Sequence, residues 1–125
     1  KPRIASSRFD DVWAKHVREL AQRDNVVCKF SGVVTEVQDP SWSVETIRPY
    51  WQTALEAFGP SRLMFGSDWP VCLLRTSYQR WVETVVELAS DLSASEQALK
   101  PRGVTLSITC ETGWPFRYVV RTSVR

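Results

Sequence analysis

The stretch Arg-Leu-Met-Phe-Gly-Ser-Asp-Trp-Pro, residues 62–70, decides the fold of this chain. Its apolar run at 63–65 is typical of a short, buried strand of a parallel sheet. Gly66 then ends the strand, because glycine adopts backbone angles that other residues avoid. Asp68 follows at the strand end, where α/β barrels place their catalytic groups. The pattern therefore predicts a candidate active-site carboxylate, although a turn or cap aspartate has the same local signature.

A second strand is predicted at 26–31, and helices are predicted before, between and after the two strands. The first covers 9–23, and its apolar face is predicted to consist of Phe9, Val12, Trp13, Val17, Leu20 and Ala21. The single histidine, His16, lies on that face, where we interpret it as a packed residue. The second follows a helical stripe from 44 to 58, and Pro49 either kinks it or marks its start. Gly59-Pro60 is predicted to end it. Capping boxes open a third helix at 76–79, reaching about residue 90, and a last short one at 93–96.

Two motifs resemble a known family. Phe-Gly-Pro-Ser-Arg-Leu-Met-Phe-Gly-Ser-Asp-Trp-Pro-Val (58–71) and Val-Val-Cys-Lys-Phe-Ser-Gly-Val-Val-Thr-Glu (26–36) are similar to the amidohydrolase-2 family, nearest to the L-fuconolactonase-like sugar lactone hydrolases. Lys1-Pro2 resembles the end of that family's His-x-x-Lys-Pro element. The resemblance implies the C-terminal part of a (β/α)8 TIM barrel of the metal-dependent hydrolase type. It also implies that Asp68 lies in the active site.

The resemblance covers about 100 of the 125 residues, and a whole barrel needs roughly 250. We therefore expect a truncated α/β barrel at 1–100 followed by a divergent tail at 101–125. Alternating apolar residues predict a strand from Val104 to Cys110. Whether this strand forms a hairpin with the residues after it is left undecided. We interpret the tail as spliced or frame-altered, without a place in the barrel.

Three further residues are candidates for substrate binding. Lys29 lies inside a strand and is predicted either to polarise a carbonyl at the barrel mouth or to extend its amine to water. Ser31 is a possible donor to substrate or a turn residue. Trp69 either stacks on a sugar ring or covers the rim. The long loop at 33–43, which carries Glu36, Asp39 and Trp42, is expected to shape the substrate pocket.

Opening a sugar lactone needs an activated water and a polarised carbonyl. Asp68 is the predicted base and Lys29 the candidate electrophile. No cofactor is assigned, although a divalent metal such as zinc in a full-length parent stays open. The alternatives are a metal-dependent amidohydrolase or decarboxylase of a cyclic or carboxylic acid, with Asp68 as a ligand, and an inactive truncated isoform.

Net charge, the length of apolar runs and the cysteine pattern limit the classes of partner that we expect. The net charge of +2 and the absence of a basic patch with interleaved aromatics indicate no nucleic-acid partner. No apolar run is long enough for a membrane span. Three cysteines without a Cys-x-x-Cys motif predict reduced thiols and a cytoplasmic setting. The expected partner is a small sugar lactone or cyclic acid, and an oligomer is left open.

Overall fold

A computed structural model describes residues 1–5, 8–93, 96, 104–108 and 118–122. The elements are α1 (Asp11–Ala21), β1 (Cys28–Phe30), α2 (Val44–Phe58), β2 (Leu63–Phe65), α3 (Tyr78–Leu88), β3 (Val104–Ile108) and β4 (Tyr118–Thr122). Short 3-10 helices occur at Val34–Glu36, Pro60–Arg62, Val71–Leu74 and Ala89–Asp91. Among the described residues, none of the helices has the length and hydrophobicity that crossing a lipid bilayer requires.

Strands β1 and β2 pair in parallel, with Lys29 opposite Met64 and Phe30 opposite Phe65. Helix α2 connects them, so β1, α2, β2 and α3 follow the alternating order of an α/β fold. The predicted strand at 63–65 is confirmed, and the one predicted at 26–31 is shorter. The chain is therefore mixed α/β, and two parallel strands do not themselves form a closed barrel.

Aromatic side chains build the core between the sheet and the helices. The Phe30 ring lies 5.1 Å from Trp51 in an edge-on arrangement and 6.0 Å from Trp81 in a stacked one. Phe65 packs against the same cluster from β2. Because side chains alternate along a strand, Lys29 and Met64 point to the opposite face of the sheet. The helices therefore cover one face only.

Helix α1 differs from its predicted packing. Val12 and Leu20 were expected on the buried face, yet 65% and 51% of their surface is exposed, and His16 is also exposed. The prediction that His16 is a packed residue is therefore wrong. The buried residues of the helix are Ala14 and Ala21, because small side chains allow a close approach to the rest of the fold.

Helix α2 begins at Val44, before Pro49, so the prediction that proline marks its start is wrong. A capping box between Ser43 and Thr46 starts the helix, and the Thr53 hydroxyl donates to the Pro49 carbonyl one turn later. Gly59, at φ 68°, ends it as predicted.

Arg62 joins the ends of two helices. Its guanidinium donates to the carbonyls of Phe58, Ala21, Arg23 and Val26 at 3.0–3.3 Å. The last carbonyls of a helix have no partner within the helix, and a cation is favourable there. Arg62 is therefore structural, as its place at the start of β2 suggests.

Two capping boxes were predicted after residue 75, at 76–79 and 93–96. The cap of α3 is Ser77, whose hydroxyl accepts from the Arg80 amide, and not Thr76. The second capping box is confirmed by hydrogen bonds between Ser93 and Glu96, while the helix expected after it lies outside the described residues. In the tail, β3 and β4 pair antiparallel, as expected for the hairpin that the sequence analysis left as a possibility.

Candidate functional site

Asp68 follows β2 in a left-handed backbone conformation, with φ at 54°. Aspartate tolerates this region better than most residues. The Cys72 amide donates to the Asp68 carbonyl at 2.9 Å, and the Trp69–Pro70 peptide bond is cis. The carboxylate oxygen Oδ2 is buried and accepts no hydrogen bond within the described structure. A buried acceptor without a partner is costly, which marks Asp68 as a functional candidate.

The strand end before Asp68 is fixed from two sides. The Gly66 amide donates to the Phe30 carbonyl at 3.0 Å, extending the ladder between β1 and β2. The indole Nε1 of Trp81 donates to the Gly66 carbonyl at 3.0 Å, and Trp81 is completely buried. Core packing through α3 thus positions the backbone two residues before Asp68.

Gly32, the residue that follows Ser31 after β1, leaves space for the Asp68 carboxylate. Its φ is +64°, and a Cβ there would lie 2.6 Å from Oδ2 of Asp68 and 2.9 Å from Nζ of Lys1. Real Cβ atoms essentially never lie this close to other atoms, so a side chain at position 32 would force the Asp68 and Lys1 side chains to shift. The Asp68 carboxylate and the Lys1 ammonium therefore converge on one point above Gly32.

Lys1 is held at this point by the loop after β1. Its ammonium donates to the Thr35 hydroxyl at 3.1 Å and lies 3.2 Å from a Glu36 carboxylate oxygen. The Thr35 hydroxyl in turn donates to the Gly32 carbonyl at 2.7 Å. Half of the Lys1 side chain is exposed, so a small molecule can reach it.

The predicted substrate-binding residues lie around this cluster. Ser31 and Lys29 lie against Gly66, where an added Cβ would be 2.5 Å from Ser31 Cβ and 3.2 Å from Lys29 Cδ. Lys29 is exposed on the face away from the helices. Trp69 is next to Asp68 in the chain and 64% exposed.

Trp42 lies in the loop that is predicted to shape the substrate pocket, but its own side chain is buried. Only 2% of its surface is exposed, and the guanidinium of Arg80 lies 4.1 Å from the centre of its ring. Arg80 also donates to the Trp42 carbonyl at 2.6 Å. A cation over an indole face is a favourable contact, so Trp42 belongs to the core.

Cys72 is close to Asp68 and fully buried. Burial, and secondly the negative charge of Asp68, raise the pKa of the Cys72 thiol. The thiol therefore stays protonated near neutral pH, and a protonated thiol is a poor nucleophile.

The described residues do not form a metal site by themselves. No group of three histidine, cysteine, aspartate or glutamate side chains is placed to hold an ion in the described part of the chain. Asp68 offers one free carboxylate oxygen, and the Lys1 ammonium beside it would repel a cation. Zinc sites take three or four protein ligands, so this donor set does not fit one.

Known proteins are similar to this chain in sequence and in fold. The sequence profile described as amidohydrolase matches residues 1–99. The chain belongs to the amidohydrolase family. An L-fucono-1,5-lactonase of Burkholderia multivorans is 43% identical over 78% of this chain, and an L-rhamnono-gamma-lactonase of Scheffersomyces stipitis is 28% identical over 67%.

A crystal structure of an amidohydrolase from Burkholderia multivorans, with bound zinc, is also similar. It superposes with a TM-score of 0.74 at 43% identity and covers 82% of this chain. The chain spans about a third of its relatives, namely 36% of the lactonase and 38% of the crystallised protein. The family predicted from the two motifs is thereby confirmed.

Sequence reasoning missed three members of the cluster: Lys1, Gly32 and Thr35. Lys1 is 67 positions from Asp68, and no periodicity connects them. The available signal was the Lys-Pro pair at the start of the chain, because it matched a family element.

Replacing Gly32 with alanine should destabilise the fold and displace the Asp68 carboxylate. A left-handed backbone costs a residue other than glycine about 1–2 kcal/mol, and here the methyl group also meets Asp68 and Lys1. Urea unfolding should show a loss larger than this backbone cost alone, whereas a loss of about 1–2 kcal/mol or less would contradict the close approach.

Proposed function

We propose that this chain forms part of the active site of a sugar lactone hydrolase, with Asp68 as the base. The observation that carries the proposal is the Oδ2 atom of Asp68, at the end of a parallel strand. This atom is buried and accepts no hydrogen bond within the described structure. The chain's family and its similarity to proteins named as sugar lactonases support the substrate class. The fold we propose for the whole protein is the (β/α)8 barrel, of which residues 1–100 would supply C-terminal units and 101–125 a divergent tail.

The proposed reaction adds water to the lactone ester. The Asp68 carboxylate accepts a proton from water as the water oxygen bonds to the carbonyl carbon, giving a tetrahedral oxyanion. The carbonyl then re-forms, the ring C–O bond breaks, and the departing alkoxide takes the proton from Asp68. One lactone and one water give one open-chain hydroxy acid, and the base is regenerated.

The other predicted residues would bind the substrate. Lys29 and Ser31 lie on the sheet face that the helices leave uncovered, so both have side chains available to a polar ligand. The exposed indole of Trp69 offers an apolar surface of the kind on which a sugar ring packs. These three roles are part of the proposal.

Any divalent metal would need ligands beyond the described residues. A related amidohydrolase was crystallised with bound zinc, and Asp68 would contribute one carboxylate to such a site. A metal supplies Lewis-acid polarisation of the carbonyl or an activated water.

Hydrolysis of L-fucono-1,5-lactone and L-rhamnono-gamma-lactone tests the function. Acid release is followed for the 125-residue chain and for a chimaera in which residues 1–93 replace the matching segment of the Burkholderia multivorans lactonase, each with and without a chelator. We expect the chimaera to hydrolyse at least one lactone. A folded chimaera without activity on either would contradict the proposal, and loss of activity on chelation would assign a metal to the complete site.

A further inference from the structure

We propose that Lys1 is the residue that binds the reacting carbonyl oxygen, and that Thr35 and Glu36 position it. This inference rests on the proposed function, because it names the group that meets the substrate beside Asp68. It transfers the role of electrophile, predicted for Lys29, to a residue whose ammonium converges with the Asp68 carboxylate above Gly32.

The hydrogen-bond directions support this assignment. The single proton of the Thr35 hydroxyl is donated to the Gly32 carbonyl, so its oxygen must accept from Lys1. A second ammonium proton faces the Glu36 carboxylate. An ammonium has three donors, so one is left for a ligand.

The fixed position of the Lys1 ammonium also suits it to bind an oxyanion. Thr35 and Glu36 fix the position of the ammonium before substrate arrives, and a fixed donor stabilises developing charge better than a mobile one. Gly32 has no side chain, so no Cβ keeps the Lys1 ammonium and the Asp68 carboxylate apart. A carbonyl bound to the exposed side of the Lys1 ammonium would therefore lie next to the Asp68 carboxylate.

Lys29 is less suited to the role. It is exposed, and its stem lies against Gly66 on the sheet face. Lys1 has two polar partners that fix its amine, at 3.1 and 3.2 Å. Lys29 would then bind a more distant part of the substrate.

The test is binding of the reaction product to the 125-residue chain. The probe is the open-chain sugar acid formed from L-fucono-1,5-lactone, followed by NMR of the lysine 13Cε signals. We expect the Lys1 signal to shift with product concentration, and Lys1→Met to weaken binding about 10-fold. Glu36→Gln, which keeps the shape of the side chain, should weaken binding by a smaller factor. Lys15→Met is the control, because this lysine is exposed on α1 and is not a member of the cluster around Gly32. The variant should bind product as tightly as the unchanged chain.

The outcomes separate this inference from the proposed function. A Lys1 signal that does not shift, or Lys1→Met that binds as tightly as the unchanged chain, overturns the inference. In the chimaera, Lys1→Met should lower kcat/KM about 100-fold, as expected for loss of an oxyanion donor. If the product binds at Lys1 but the folded chimaera hydrolyses neither lactone, the proposed hydrolase function is contradicted and the anion site at Lys1 is retained.

Discussion

Replacing Asp68 with asparagine should lower kcat for lactone hydrolysis by about 10²–10⁴-fold, the usual contribution of a general base. Asparagine keeps the size of the side chain and tolerates the same left-handed backbone, so the fold should be retained. The measurement is the rate of acid release by the chimaera, with thermal unfolding recorded in parallel.

Asp24→Asn provides the control for this substitution. Asp24 is exposed in the turn after α1, and its replacement should change neither rate nor stability. If Asp68→Asn kept more than a tenth of the activity of the unchanged protein, the base would have to be another group.

Replacing Trp81 with alanine should produce the largest loss of stability. Its indole is fully buried between α3 and the sheet, near the rings of Phe30 and Phe65. Truncating a buried tryptophan costs about 3–5 kcal/mol, because apolar contact is lost and a cavity is left. Urea unfolding followed by circular dichroism measures this free energy, provided that the transition is two-state.

Two further variants separate the causes. Trp81→Phe keeps an aromatic ring but removes the bond to the Gly66 carbonyl, which should cost about 1–3 kcal/mol. Trp69→Ala should change the free energy of unfolding by less than about 0.5 kcal/mol, because that indole is mostly exposed. Equal losses at Trp81 and Trp69 would contradict the packing described for α3.

The sequence was sufficient for elements that depend on local chemistry. The strand at 63–65 was predicted because an apolar run and Gly66 set its limits. Helix α2 ends where Gly59 adopts a positive φ. The placement of Asp68 at the strand end follows from the same local pattern.

Contacts between distant residues could not be predicted in this way. Helical periodicity gives an apolar stripe, but the neighbouring elements decide which side of it is buried, so Val12 and Leu20 were misplaced. The burial of Trp42 depends on Arg80, 38 positions away. Lys1 reaches the site only because the fold brings its amine to Gly32.

The four carbonyls bound by Arg62 have a consequence for cooperativity. They belong to the ends of α1 and α2 and to the connection that leads into β1. Neither helix end can open without breaking hydrogen bonds to the same guanidinium. Fraying of one end therefore leaves N–H donors of Arg62 without acceptors. The two helices should therefore unfold as a single unit, and their backbone amides should exchange with solvent through one shared opening.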